Sequence, residues 1–141
     1  MSENSFNDWN TSVIEEFRAN GGKVGGPFEG GTLLLLTTKG AKSGKERISP
    51  LAYTPDGDRF IIIASKAGAP TNPDWYHNLL AHPTATIEVG TEKFEVKPTV
   101  VLEEPERSQL YAKMVEKMPG FADYERKTTR KIPVVLLEKV S

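Results

Sequence analysis

The apolar residues change their spacing along the chain, and each change predicts a new element. Across residues 5–18, Phe6, Trp9, Val13 and Phe17 recur at helical spacing, while Glu15, Glu16 and Arg18 lie off that stripe. The pattern predicts one amphipathic helix docked on the domain by its apolar side. The segment is acidic and has no Lys/Arg face of the kind membrane-surface helices use. Ala19-Asn20-Gly21-Gly22 stops it. Residues 21–31 then hold six glycines and read as a linker.

From residue 32 the helical period disappears. Residues 32–38 (TLLLLTT) form an unbroken apolar run, which suits a strand buried on both faces. Residues 46–54 predict a second strand, in which Pro50 marks an edge or a bulge. Pro55-Asp56-Gly57 turns the chain into a third strand at 59–64, so the second and third strands form a hairpin. Residues 84–89 alternate, Gly90-Thr91 turns them, and 92–101 returns as a longer strand. Residues 132–137 (IPVVLL) are the last strand. Helices interrupt the series. Asn72 predicts an N-cap with Pro73 at the first helical position, and His82-Pro83 closes that helix. Further helices are expected at 105–117 and about 121–127.

This order is not the alternating pattern of a parallel Rossmann sheet. Hairpins dominate, so the expectation is an α+β chain, mainly β with helices. About six mostly antiparallel strands would close, or nearly close, a barrel and so remove exposed edges. The chain divides into an N-terminal helix and linker at 1–22 and a barrel domain at 23–141.

Composition narrows the chemistry. The chain has 141 residues, near-neutral charge of −1 and no cysteine. Thiolate catalysis, Fe–S clusters and cysteine zinc sites are therefore excluded. A cysteine-free chain fits a reducing cytoplasm. His77 and His82 are five apart, which matches no histidine metal motif, so no metal is expected. The charge balance argues against a nucleic-acid partner. The longest apolar run, Leu33 to Leu36, is too short to span a membrane.

Three segments could carry chemistry. The stretch 37–47 (TTKGAKSGKER) joins two strands and holds four basic residues against one acidic one. Its backbone N–H groups, Lys42 and Arg47 could converge on a phosphate or carboxylate. The plain alternative is a solvated hairpin loop. It is not a P-loop, because the glycines are too close and Glu46 stands where Ser or Thr is needed. The second stretch, 64–79, runs from a strand end at Ser65-Lys66 through small residues into a helix carrying Trp75, Tyr76 and Asn78. It could take a flat ligand with an acidic group, or Trp75 could simply be core. In the third, Met118, Phe121 and Tyr124 recur every three residues, as a pocket roof or as core, with Arg126, Lys127 and Arg130 toward solvent. No nucleophile elbow or shielded carboxylate pair is present, so a bound cofactor would supply the reactive atom.

Together, LLLLTTKGAKSGKERISPL, IIIASKAGAPTNPDWYHNLLAHP and MPGFADYERKTTRKIPVVLLE resemble the deazaflavin-dependent nitroreductase family, also described as deazaflavin-dependent quinone reductases. The resemblance covers about residues 25–138. It implies a split β-barrel of the FMN-binding flavin-reductase type and coenzyme F420, a deazaflavin bearing a phosphate and an oligoglutamate tail. It implies that Lys42, Ser43 and Arg47 hold the phosphate and tail. Pro50, Ile63, Ala64, Ser65 and Lys66 would lie along the ring, and Trp75 and Asn78 would complete the cleft. The implied reaction is hydride transfer from the reduced cofactor to an electron-poor small molecule (a quinone, enone or nitro compound). Ser65 and Tyr124 are the implied catalytic candidates, with Met118, Phe121 and Tyr124 lining the substrate pocket. Met118 and Phe121 stand where some members carry tyrosines, which favours quinones over nitroimidazoles. FMN as cofactor, or a non-catalytic deazaflavin carrier, are the alternatives. A cytoplasmic protein, with a homodimer admitted by the resemblance, completes the expectation.

Overall fold

The computed structural model describes residues 2–21, 33–65 and 71–140, with side chains from Thr11 onward. The expected linker at 22–31, Lys66 and the side chains of Phe6 and Trp9 lie outside the described residues. The chain runs α1 (Ser2–Ala19), β1 (Leu33–Lys39), β2 (Glu46–Ala52), β3 (Thr54–Asp56), β4 (Arg59–Ile63), α2 (Asp74–Ala81), β5 (Ala85–Val89), β6 (Glu92–Val101), α3 (Glu106–Lys117), α4 (Phe121–Lys127) and β7 (Val134–Lys139).

The seven strands among the described residues form one antiparallel sheet in the order β2-β1-β5-β6-β7-β4-β3. The two edge strands, β2 and β3, are joined by Tyr53 alone. In a flat sheet those edges would stand about 29 Å apart, at ~4.8 Å per strand spacing. A single intervening residue lets them be no more than about 7.6 Å apart at that junction. The sheet therefore curls until its edges meet, and it forms a split barrel. β2 and β3 do not pair with each other, and that seam is the split.

This closure corrects two expectations. Six strands become seven, because the run 46–54 divides at Tyr53. The hairpin expected between that whole run and the next strand is three residue pairs long, Thr54 to Asp56 against Ile61 to Arg59. The rest of the run pairs with β1 instead. Periodicity cannot register this division, since both parts are extended. Pro50 does lie on an edge strand, where proline is tolerated.

Alternation sorts the apolar residues into three clusters. Leu34, Leu36, Ile62, Ala64, Ile87, Val96, Val135 and Leu137 fill the barrel, and α2 plugs it with Trp75, Tyr76 and Leu79. Ile61, Ile63, Val134 and Leu136 point outward beneath α3 and α4, against Leu110, Tyr111 and Met114. Leu33 and Leu35 point outward beneath α1, against Val13 and Phe17. The continuous runs of β1, β4 and β7 are thus apolar because both faces are covered. Arg18, in the last turn of α1, adds a two-pronged ion pair to Glu88 on β5, at 3.0 and 2.8 Å.

Helix α2 begins one residue later than expected. Asn72 does not cap it. Pro73 takes the N-cap place in an extended conformation (φ −69°, ψ 156°), and its carbonyl accepts from Tyr76 N–H at 3.1 Å.

Two outcomes follow for α1. Phe17→Ala should cost roughly 3–5 kcal/mol of stability, the range for emptying a buried phenylalanine site, as read by urea denaturation. The Arg18 hydrogen bond holds the Glu88 carboxyl below its usual range. Its stabilisation is therefore complete above the ordinary carboxylate pKa and disappears as pH falls through the lowered value. Melting curves of the wild type and Glu88→Gln should differ near pH 7 and converge in acid.

Candidate active site

The β1–β2 loop is built to be rigid and positive. Gly40 N–H donates to Lys45 O at 2.7 Å, and Gly44 N–H donates to Gly40 O at 2.9 Å. Gly44 takes φ +71°, where glycine is favoured. A Cβ on Gly40 would stand 2.6 Å from Ser43 Oγ, so any side chain there would displace that hydroxyl. Ser43 Oγ accepts from Lys45 N–H at 3.2 Å. Lys39, Lys42, Lys45 and Arg47 are exposed. Among the described residues, none of the four makes an ion pair. Arg47 pairs across the strands with Thr38, at the mouth of the barrel.

Asn78 fastens this loop to α2. Its Oδ1 accepts from Ala41 N–H at 2.9 Å, and its Nδ2 donates to Thr38 Oγ1 at 3.2 Å. Both Asn78 and Thr38 are buried. The amide therefore orients the cationic loop from behind. Trp75, on the same helix, is packed in the barrel core and is 6% exposed.

The other end of α2 is fastened by a residue that sequence reasoning had sent to solvent. Arg130 Nη1 donates to Asn72 Oδ1 at 2.6 Å. Its Nη2 donates to Ala64 O at 3.1 Å and to Ser65 O at 2.9 Å. Burial lowers its pKa somewhat from the usual guanidinium value. A charge in a polar segment reads as solvated by default, which is why it was missed. A signal was available in Pro133, whose absent N–H leaves a neighbouring strand without a ladder donor.

The structure separates the remaining candidates by face. Ala64 points into the barrel, whereas Ile63 points outward beneath α3 and α4. Met118, Phe121 and Tyr124 are half-buried against that same outer cluster. Phe121 and Tyr124 meet edge to face with centroids 5.0 Å apart. The buried Tyr111 hydroxyl donates to Phe121 O at 2.6 Å and ties α4 to α3. Burial raises its pKa, so it remains a neutral phenol. Pro50 pairs with Leu35, whose side chain lies on the α1 side of the sheet. Ser65 is buried where β4 ends. The basic loop, Asn78, α2, Asn72, Arg130 and Ser65 are thus one connected chain of contacts.

A family model described as F420H(2)-dependent quinone reductase matches residues 9–139. The chain belongs to that family. An F420H(2)-dependent quinone reductase of Mycobacterium tuberculosis is 39% identical over 127 residues, covering 87% of this chain and 85% of that protein. A solved F420-H2 dependent reductase superposes with a TM-score of 0.69 at 37% identity, over 76% of this chain and 94% of that one. A structure described as a domain-swapped dimer superposes at 0.72 with 34% identity, over 94% of this chain and 98% of the other. This F420H(2)-dependent quinone reductase family member is accordingly an F420-dependent oxidoreductase, and FMN is not favoured. The residues present fit the cofactor. Four cations with no ion pair among the described residues, on a loop too tight to collapse onto itself, suit its phosphate and acidic tail. No helix among the described residues is long and apolar enough to cross a membrane.

Asn78→Ala would remove the part-buried bond to Ala41 N–H and leave the buried Thr38 hydroxyl without its partner. It should cost about 1–3 kcal/mol in stability, the range for leaving a buried polar group unsatisfied. It should also weaken F420 binding, because the loop loses its anchor. Thermal melting and a cofactor titration check the two effects.

Proposed function

We propose that the physiological acceptor is a quinone and that the basic loop, α2 and the end of β4 frame the cofactor cleft. The observation that carries the reading is that the loop's four cations make no ion pair among the described residues, together with the loop's anchorage to the barrel plug through Asn78. Lys42 and Arg47 neutralise the phosphate and carboxylates, Arg47 as a two-donor fork and Lys42 as a point charge. The Ser43 hydroxyl adds a donor. Ser65, where β4 ends, is placed to hydrogen-bond the ring or the substrate, while Ala64 and Trp75 shape the cleft from within the barrel core and Pro50 from the α1 side of β2. Asn78 acts through the loop it holds, and Ile63 through the outer cluster beneath α4.

Reduced F420 supplies the hydride when bound, and one proton completes the two-electron reduction of a quinone. The protein's part is placement and electrostatics. Met118 and Phe121 present an apolar wall that keeps water from a flat acceptor. The Tyr124 phenol orders the acceptor or delivers the proton. The protein works in the cytoplasm, which its cysteine-free composition suits, and a homodimer is supported by the dimeric neighbour.

Titration with oxidised F420, followed by tryptophan fluorescence, should saturate, while FMN should give no response. Arg47→Ala should weaken F420 by about 1.5–3 kcal/mol, the range for hydrogen bonds to charged groups. Unchanged affinity in a folded variant would remove Arg47 from the cofactor site. Tyr124→Phe should lower quinone turnover at unchanged F420 affinity, and equal turnover would exclude the phenol from the mechanism.

A further inference from the structure

The β4–β7 ladder has a gap that the backbone cannot fill. Ile63 pairs with Val134, and one step further Ala64 N–H donates to Pro133 O at 3.0 Å. In an antiparallel pair of this kind the partner returns a second bond, from its own N–H to the first residue's carbonyl. Pro133 has no N–H. The carbonyl of Ala64, a fully buried residue, is left without its ladder donor. Arg130 Nη2 supplies that donor at 3.1 Å.

The same nitrogen also donates to Ser65 O at 2.9 Å. Successive carbonyls of an extended strand point to opposite sides. Their convergence on one atom means that the backbone turns at Ala64-Ser65, where β4 leaves the sheet. The other guanidinium nitrogen reaches Asn72 Oδ1, two residues before α2. One planar group thus sets the position of Ser65 against the start of α2, which carries Trp75 and Asn78. An ammonium has a single nitrogen and cannot hold both sides in this fixed geometry.

We infer that Arg130 is a positioning residue: it replaces the donor missing at Pro133 and so holds Ser65 and the first turn of α2 in the arrangement the cofactor requires. The inference rests on the proposed reading that Ser65 and α2 border the cleft. Arg130 acts on the cofactor through these groups.

The rival role is plain structural support. The buried Arg107 provides the comparison, since it donates to Ile132 O, Glu104 and Glu125 from α3 without touching Ser65 or Asn72. Arg130→Met, Arg130→Lys and Arg107→Met are compared in three measurements. The first is amide hydrogen exchange in the cofactor-free protein at Ala64 and at Tyr76, whose N–H bonds Pro73 O. The second is F420 affinity, and the third is kcat and KM with menadione.

Arg130→Met should speed exchange at both amides, weaken F420 at least tenfold and lower kcat, with Arg130→Lys restoring only part of each. Arg107→Met should lose stability while staying within twofold of wild type in F420 affinity and kcat. Unchanged exchange in Arg130→Met would overturn the inference. So would faster exchange with wild-type affinity and kcat, or equal functional losses in the Arg107 and Arg130 variants. Should Arg130→Met fail to fold, Asn72→Ala removes the acceptor on the α2 side and carries the same test. A wild-type protein without F420 affinity would overturn the proposed function instead, and the exchange rates would still decide whether Arg130 positions Ser65.

Discussion

The fold depends on one short connection. β2 and β3 lie at opposite edges of a seven-stranded sheet, yet only Tyr53 separates them in sequence. Curling is therefore obligatory, and the curled sheet encloses a volume that side chains must fill. Leucine, isoleucine and valine do so along the walls, and α2 closes the end with Trp75, Tyr76 and Leu79. Tyr53 itself packs edge to face on Phe60, with centroids 5.5 Å apart, and Phe60 packs on Phe94 at 5.8 Å. These rings line the barrel near its seam. The outer face of β4 and β7 is then covered by α3 and α4, and that of β1 by α1.

Much of this is legible in sequence, because burial on two faces leaves an unmistakable run such as Leu33 to Leu36. Helix α4 and strand β6 stand where the pattern places them, and Pro50 lies on an edge as expected. The division at Tyr53 is invisible, since a strand that changes partners keeps its extended backbone and its alternation. The start of α2 is off by one residue, because Asn72 and Pro73 each satisfy a local preference and tertiary contact decides between them. Asn72 is engaged by Arg130 and Pro73 takes the cap.

The candidate site divides along similar lines. A local run of basic residues is a sequence property, and so the loop with Lys42, Ser43 and Arg47 is visible from the order of residues alone. What makes that loop rigid is not. Asn78 matches the family pattern as a cleft residue, but its amide hydrogen-bonds Ala41 and Thr38, which lie 37 and 40 residues away. Arg130 likewise acts 65 and 66 residues back along the chain. Contacts at such separations have no local signature. Only the missing N–H of Pro133 hints that a distant donor is needed.

Four successive leucines in β1 have a consequence for how the chain aligns itself. Displacing the strand by one residue would still fill three of the four buried leucine sites, on both faces, so apolar burial alone separates the correct alignment from its neighbour only by the fourth. The difference lies at the polar end. Thr38 meets Asn78 inside the barrel, whereas the displaced strand would bring Thr37 or the cationic Lys39 to that buried amide. A satisfied polar pair in a low-dielectric interior is costly to replace by a mismatched one. Thr38 and Asn78 therefore act as a proofreading mark for β1: the leucines supply the adhesion, and one hydrogen bond sharpens the choice among alignments that most of the leucines would accept.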